Sequence, residues 1–438
     1  MKTRSITAAL LTTALAATTL TACSSSSEDG VETVTVWDNG LLTRTNDDGT
    51  MNDSNSFLTL LAAQYEQEHP DVKIKIVRQS ADITKNSAQF QAASIAKNGP
   101  DIRVGYIGGN TEDYSDFLLD LDGTFSDETV ADISGWNLTR KGYSPDGALL
   151  GLPYGAGSYF YVFYNRQMTD AAGLDLTTPP ATWEDLLAAG EQVQENTSNT
   201  AFWVANQEGY VGAWVVAALA GGELGPDAFI DMYTGETSTD SDGLIDAYTA
   251  YARLFEDGLT NPDAASVSNA DALSGFIQGK GAFYISGSWD NTYLTDAFGD
   301  GVGVFAIPML EGAAYPDTVA GGPNVDLSIT SYSKHQEAAK DFLRFLAQPS
   351  SIEEYTKLYQ SEAPNSASAS TAVITNPLLQ QEAAGLTTSQ SHVYPIDNVM
   401  PQSVNDLYYK INATVFTGRT SPKDAVEQLA AAVADATE

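Results

Sequence analysis

Apolar residues along the chain recur with two different periods. In VETVTVWDNG, Val34 and Val36 alternate with threonines as in a strand, and Asp38-Asn39-Gly40 breaks the run. In FLTLLAAQYEQEHP the spacing lengthens: Phe57, Leu60, Leu61 and Tyr65 fall on one helical face until His69-Pro70 stops it. Val72, Ile74 and Ile76 then alternate as a second strand. The order strand, helix, strand predicts a βαβ unit and a mainly parallel sheet. A further helix is predicted around residues 88–97, ending at Gly99-Pro100, and another strand over residues 101–107.

The same grammar continues downstream. TTPPATWEDLLAAGEQV predicts a helix capped by Thr182. A second helix is predicted over residues 243–255, closed by Gly258, with short strands at 282–285 and 302–307. HQEAAKDFLRFLAQP is amphipathic, turning Ala339, Phe342, Leu343 and Leu346 inward before Pro349 ends it. The tail over 401–438 reads as helical, broken near Gly418 and Pro422. With no internal repeat and no long linker, the pattern predicts domains that cross over repeatedly. Within GLPYGAGSYFYVFYNRQ, residues 159, 161 and 163 share one face and 160, 162 and 164 the other. Both faces are apolar, as in a central strand covered by helices on each side, so these rings read as core.

Charge narrows the partners. Lys plus Arg is 21 and Asp plus Glu is 57, a formal net charge of −36. Such a surface repels nucleic acid and anionic lipid headgroups, so no nucleic acid is expected as a partner. A cationic solute stays open on this ground. The opening residues bring in a membrane differently. Lys2 and Arg4 precede an apolar run from Ile6 to Leu20, too short to span a bilayer comfortably, which reads as a secretory signal over 1–22. Leu20-Thr21-Ala22-Cys23 resembles the bacterial lipobox, and Cys23 is the only cysteine in the chain. That resemblance implies lipidation of Cys23, a flexible tether over 23–30, and a protein exported and lipid-anchored at the outer face of the cell membrane.

A catalytic set does not emerge. The three histidines, His69, His335 and His392, lie in no metal-binding spacing. Residues 301–306 match a GxGxxA string but read as a strand ending at Pro308. No GxSxG elbow or phosphate-binding loop is present. The expectation is a protein that is not an enzyme, with no cofactor and no metal.

Several segments line up in order: a first strand ending in Trp37-Asp38, then GLPYGAGS, Tyr164-Asn165, TWEDLLAAG, AFYISGSW, and EAAKDFLRFL with the Ala363-Pro364 loop. Together they resemble the extracellular solute-binding lipoproteins of bacterial ABC importers, in the sugar-binding group that includes maltose-binding protein. The resemblance runs from Val34 to about Glu427. It implies an α/β, two-lobe periplasmic-binding-protein-like clamshell, each lobe a mainly parallel sheet flanked by helices, with three interlobe crossings. Lobe one is expected over 31–152 and 322–349, lobe two over 153–321 and 350–438. A monomer is implied, with ABC transporter permease subunits as its protein partners.

The ligand so implied is a neutral sugar or oligosaccharide, which needs rings for its C–H faces and amides or carboxylates for its hydroxyls. Trp289 matches the position where maltose-binding protein stacks a tryptophan on sugar, with Asp290 beside it. Glu208 and Tyr210 resemble an acid-and-tyrosine pair of the same lobe, and Trp214 follows four residues later as ligand wall or helix packing. From lobe one come Trp37, Asp38, Asn39 and Asn110. Tyr154 and Ser158 lie in the glycine-rich turn where the resemblance puts a crossing. Trp136, Trp183 and Trp203 read as core. Two rivals remain: a binder of a cationic solute such as a polyamine or peptide on the same fold, and a secreted glycoside-active enzyme.

Overall fold

Residues 30–44, 52, 56–80, 83–155, 158–389 and 391–437 are described by the computed structural model of the chain. The predicted signal, Cys23 and nearly all of the tether lie outside them. Among the described residues, the strands are β1 (Glu32–Asp38), β2 (Val72–Arg78), β3 (Ile102–Tyr106), β4 (Leu152–Tyr154), β5 (Ser158–Asn165), β6 (Thr200–Phe202), β7 (Gly281–Gly287), β8 (Val302–Ala306), β9 (Thr318–Gly322), β10 (Val325–Ile329) and β11 (Ser391–Val393). They form one sheet in the order β2-β1-β3-β10-β4 and a second in the order β11-β9-β5-β7-β6, with β8 also paired to β5.

Both sheets are mixed. β1 runs parallel to β2 and β3, as the βαβ reading expects, but β10 is antiparallel to β3 and β4. In the second sheet β5 is antiparallel to β7, β8 and β9. The mainly parallel expectation therefore holds around β1 and fails around β5 and β10. β4 and β5, like β9 and β10, follow each other in sequence yet belong to different sheets. Strands entered by such crossings are not bound to the parallel direction that a βαβ return imposes.

The cores follow the periodicities. Ala339, Phe342, Leu343 and Leu346 of the helix Gln336–Leu346 are buried against the first sheet. Phe160, Val162 and Tyr164 join the core on one face of the second sheet, and Tyr161 and Phe163 the core on the other. Thr182 accepts a 3.1 Å bond from the Asp185 amide, and the Asp185 side chain closes the box on the Thr182 amide at 3.2 Å. Such a cap contributes about 1 kcal/mol.

The chain passes between the sheets after β4, after β9 and a third time near residue 370. This last crossing is later than the boundary expected at 350. Ile352, Tyr355 and Tyr359 of the helix Pro349–Tyr359 belong to the first core, as does Ala369, and Leu378 is the next to enter the second. The spacing of 352, 355 and 359 presents one apolar face. Tyr355 meets Phe57 edge-on at 5.3 Å, and the Tyr359 hydroxyl donates 3.1 Å to the Leu42 carbonyl.

The two halves also touch where the Gly108-Gly109 turn meets the segment 398–400. Gly108 has φ +80°, and a Cβ there would overlap the Asn398 carbonyl oxygen. Gly108→Ala combines that clash with the strain, about 1–3 kcal/mol, of φ +80° with ψ −124°, a conformation that favours glycine. The expected outcome is a protein with its halves held apart, read as a larger radius of gyration in solution scattering. An unchanged radius would show that the turn yields locally.

Candidate functional site

Between the two halves lies a cleft of two connected chambers. The outer chamber has a volume of about 660 Å³ and the inner one about 300 Å³. Tyr106, Ser158, Trp289 and Asn324 line both.

Rings dominate the inner chamber. The helix Tyr210–Leu224 sets Tyr210 and Trp214 one turn apart, and Trp289 follows β7 directly. Trp214 stacks on Phe160 at 5.6 Å and meets Trp289 edge-on at 5.2 Å. Tyr210 stacks beyond Trp214 at 6.4 Å and meets Tyr409 edge-on at 4.9 Å. The Trp289 ring lies back over Gly287, where any side chain would overlap it. That explains the glycine two residues before the tryptophan.

Polar groups are set among these rings. Asp397 accepts a 3.0 Å bond from the Tyr409 hydroxyl, while its Oδ1 is buried with no partner among the described residues. Burial pushes its carboxyl up to about 6. Asn110 accepts a hydrogen bond from Arg103. Since a guanidinium only donates, Asn110 must turn its oxygen to Arg103, leaving its amide N–H groups for the chamber. Arg103 is itself fixed by Asp326 at 3.4 Å and by the rings of Phe90 and Tyr114, 5.2 and 5.0 Å from its guanidinium.

The outer chamber carries charge of both signs. Glu362 accepts from the Ser158 hydroxyl at 3.1 Å and from Tyr355 at 3.3 Å. Arg44 lies 4.2 Å over the Tyr359 ring. Arg78 donates to the carbonyl and hydroxyl oxygens of Thr43 at 2.8 and 2.6 Å.

Of the residues singled out from sequence, Asn110, Ser158, Tyr210, Trp214 and Trp289 line the cleft. The others lie outside both chambers. Trp37 packs with Phe90, Tyr114, Leu118 and Leu150. Asp38 is fully buried and accepts from its own loop, from the amides of Gly40, Leu41 and Leu42 and the Thr43 hydroxyl, so its lone pairs are spent locally. Asn39 is buried in that loop. Tyr154 is fully enclosed in the first core, ringed by Phe57 and Tyr355. Glu208 accepts from the Asn269 amide at 3.2 Å, at the start of the helix Asn269–Ile277. Asp290 accepts from Tyr284 at 2.9 Å and Ser286 at 2.6 Å, and burial pushes it up to about 6. Trp136 and Trp183 are buried and Trp203 is half-buried, all outside the cleft.

Sequence reading missed Tyr106, Asn324, Glu362, Asp397 and Tyr409. A signal existed for Glu362, which directly precedes the Ala363-Pro364 loop. Tyr409 sits in a tail that reads only as helical, and Asp397 lies just before it in a stretch with no motif.

Residues 48–353 match the family model described as bacterial extracellular solute-binding protein. Among curated proteins, the chain is 26% identical over 247 residues to the xylose/arabinose-binding protein XacG of Haloferax volcanii, covering 54% of this chain and 51% of that one. It is 24% identical over 315 residues to the sn-glycerol-3-phosphate-binding periplasmic protein UgpB of Agrobacterium fabrum, covering 67% and 68%. The chain thus spans about half the length of the first of these relatives. A solved chitin oligosaccharide binding protein superposes with a TM-score of 0.78 at 19% identity, covering 93% of this chain and 99% of that one. At that identity the likeness is one of fold.

Proposed function

The chain belongs to the family of bacterial extracellular solute-binding proteins, and from that premise we propose that it captures a neutral oligosaccharide outside the cell and hands it to the permease of an ABC importer. The observation that carries this reading is the aromatic wall of Tyr210, Trp214 and Trp289 set against the polar groups of Asn110, Asn324 and Asp397. Sugar rings offer apolar C–H faces for stacking and hydroxyls for amides and carboxylates. A few aromatic contacts of about 0.5–1.5 kcal/mol each, with several hydrogen bonds, supply the roughly −8 kcal/mol of micromolar binding. Closing two lobes around the sugar gives the permease a state to read. In this reading the lipid on Cys23 keeps the monomeric protein beside that permease.

Cleft charge bears on the cationic alternative. Arg44 and Arg78 stand against Glu362 in the outer chamber, with Asp397 in the inner one. This balance favours a neutral solute over a polyamine. Calorimetry over sugars of defined linkage, with a polyamine, a basic peptide and glycerol 3-phosphate alongside, is expected to show binding by an oligosaccharide only. Binding by a charged solute alone, or cleavage of the sugar, would replace the reading.

Asp397 adds a pH signature. In this reading its ionised carboxylate accepts ligand hydroxyls, beside the hydroxyls of Tyr409 and Tyr210. Because its pKa in the free protein is raised to about 6, affinity is expected to be level above that pH and to fall below it, by up to about tenfold per unit. Asp397→Asn should flatten the profile. A wild-type profile already flat between about pH 8 and pH 5 would remove Asp397 from the ligand.

A further inference from the structure

On the face of the second sheet turned away from Trp214 lies a separate cavity of about 260 Å³, between β5, β8 and β9 and the helix Pro377–Leu386. Val304, Ala306, Val319 and Leu386 give it apolar walls. Two polar atoms of its lining are buried with no hydrogen-bond partner among the described residues: the Tyr161 hydroxyl and Glu382 Oε1. The other Glu382 oxygen is occupied by a 2.7 Å bond from Asn291 Nδ2. Gln381, also in the lining, is engaged with the Val304 carbonyl at 2.6 Å. A buried polar group left unpartnered costs about 1–3 kcal/mol, so two on side chains that line one cavity mark a place where a ligand would be rewarded.

We propose that this cavity is a second binding site, separate from the cleft, for a small neutral molecule with an apolar body and a hydroxyl or amide end. Its volume exceeds the roughly 150 Å³ that holds benzene, which suits a substituted ring or short branched chain. The polar end would bond to Tyr161 and Glu382 while the body lies against the apolar wall. Burial drives Glu382 well above the usual carboxylate range and likewise raises the Tyr161 hydroxyl. The neutral acid is thus the favoured form, able both to donate and to accept. An anion would meet this acid with no cation in the lining. An ammonium would have to ionise Glu382 and still leave donors unpaired against apolar walls. A hydroxyl, with one donor and two lone pairs, matches what the two side chains offer.

The test uses the full chain with benzyl alcohol, toluene, benzylamine and benzoate as probes, read by thermal shift and ligand-observed NMR. Benzyl alcohol is expected to bind with a Kd on the order of millimolar and at least about fivefold more tightly than the other three. Glu382→Leu should erase its preference over toluene and Tyr161→Phe should reduce it. Trp289→Ala should leave it intact, since Trp289 lies in the cleft. Equal binding of toluene, stronger binding of benzylamine, or an undiminished preference in either cavity variant would overturn the proposal. So would a crystal structure in which a single water bridges Tyr161 and Glu382 and benzyl alcohol does not displace it.

Discussion

Trp289→Ala is expected to weaken oligosaccharide binding about thirtyfold to a thousandfold, a loss of about 2–4 kcal/mol, while the unliganded protein melts at nearly the same temperature. The ring lines both chambers, so its removal takes the stacking surface from the point where they join. It is only half-buried, and its truncation opens space to the cleft instead of sealing a void in a core. Trp214 provides the contrast. It is 6% exposed and stacked on Phe160, so Trp214→Ala should lower both affinity and melting temperature. Calorimetry and thermal melts on the two variants separate these outcomes. Unchanged affinity in Trp289→Ala would take the residue out of the site and, with it, the aromatic wall on which the proposed function rests.

Asp326→Ala should cost about 3–5 kcal/mol of stability, a fall in melting temperature of about 5 °C for a chain of this length. Arg103 is 3% exposed and Asp326 fully buried, so the alanine leaves a guanidinium in the core without its counter-charge. The same change releases the side chain that orients Asn110, and affinity should fall with stability. The double variant Arg103→Met with Asp326→Leu distinguishes the two effects. An apolar pair of similar volume restores most of the stability, but it cannot hold Asn110 by a hydrogen bond, so affinity should stay low. Recovery of both in the double variant would show that Asn110 needs no anchor or does not meet the ligand.

Aspartates and tryptophans at strand ends mark the boundary of what the chain reveals before folding. Trp37 and Trp289 both end a strand, and both read as ligand rings. Trp37 turns into a small core beside Phe90 and Tyr114, whereas Trp289 folds back over Gly287 into the cleft. Asp38 and Asp290 spend their lone pairs on their own loop and strand. Asp397, in a stretch with no motif, keeps one oxygen unpartnered at the cleft. Residue type and position at a strand end were legible. Side-chain direction was not, because it depends on which neighbour reaches the same lone pair first.

By itself the sequence determined the first strand-helix-strand unit, the helices Asp242–Glu256 and Gln336–Leu346, the capping of the helix after Thr182, and the two apolar faces of the strand over Ser158–Asn165. These depend on backbone periods and bonds between near neighbours, and a short window contains everything that decides them. Tertiary structure alone decided the rest. Glu362 meets Ser158 across 204 positions of sequence, which brings a carboxylate to a place where the strand itself has only a hydroxyl. The helix Pro349–Tyr359 joined the first core, past the boundary expected at 350, because its tyrosines found Phe57 and Leu42. Such contacts depend on two distant segments filling one volume, and that constraint exists only once the chain has folded.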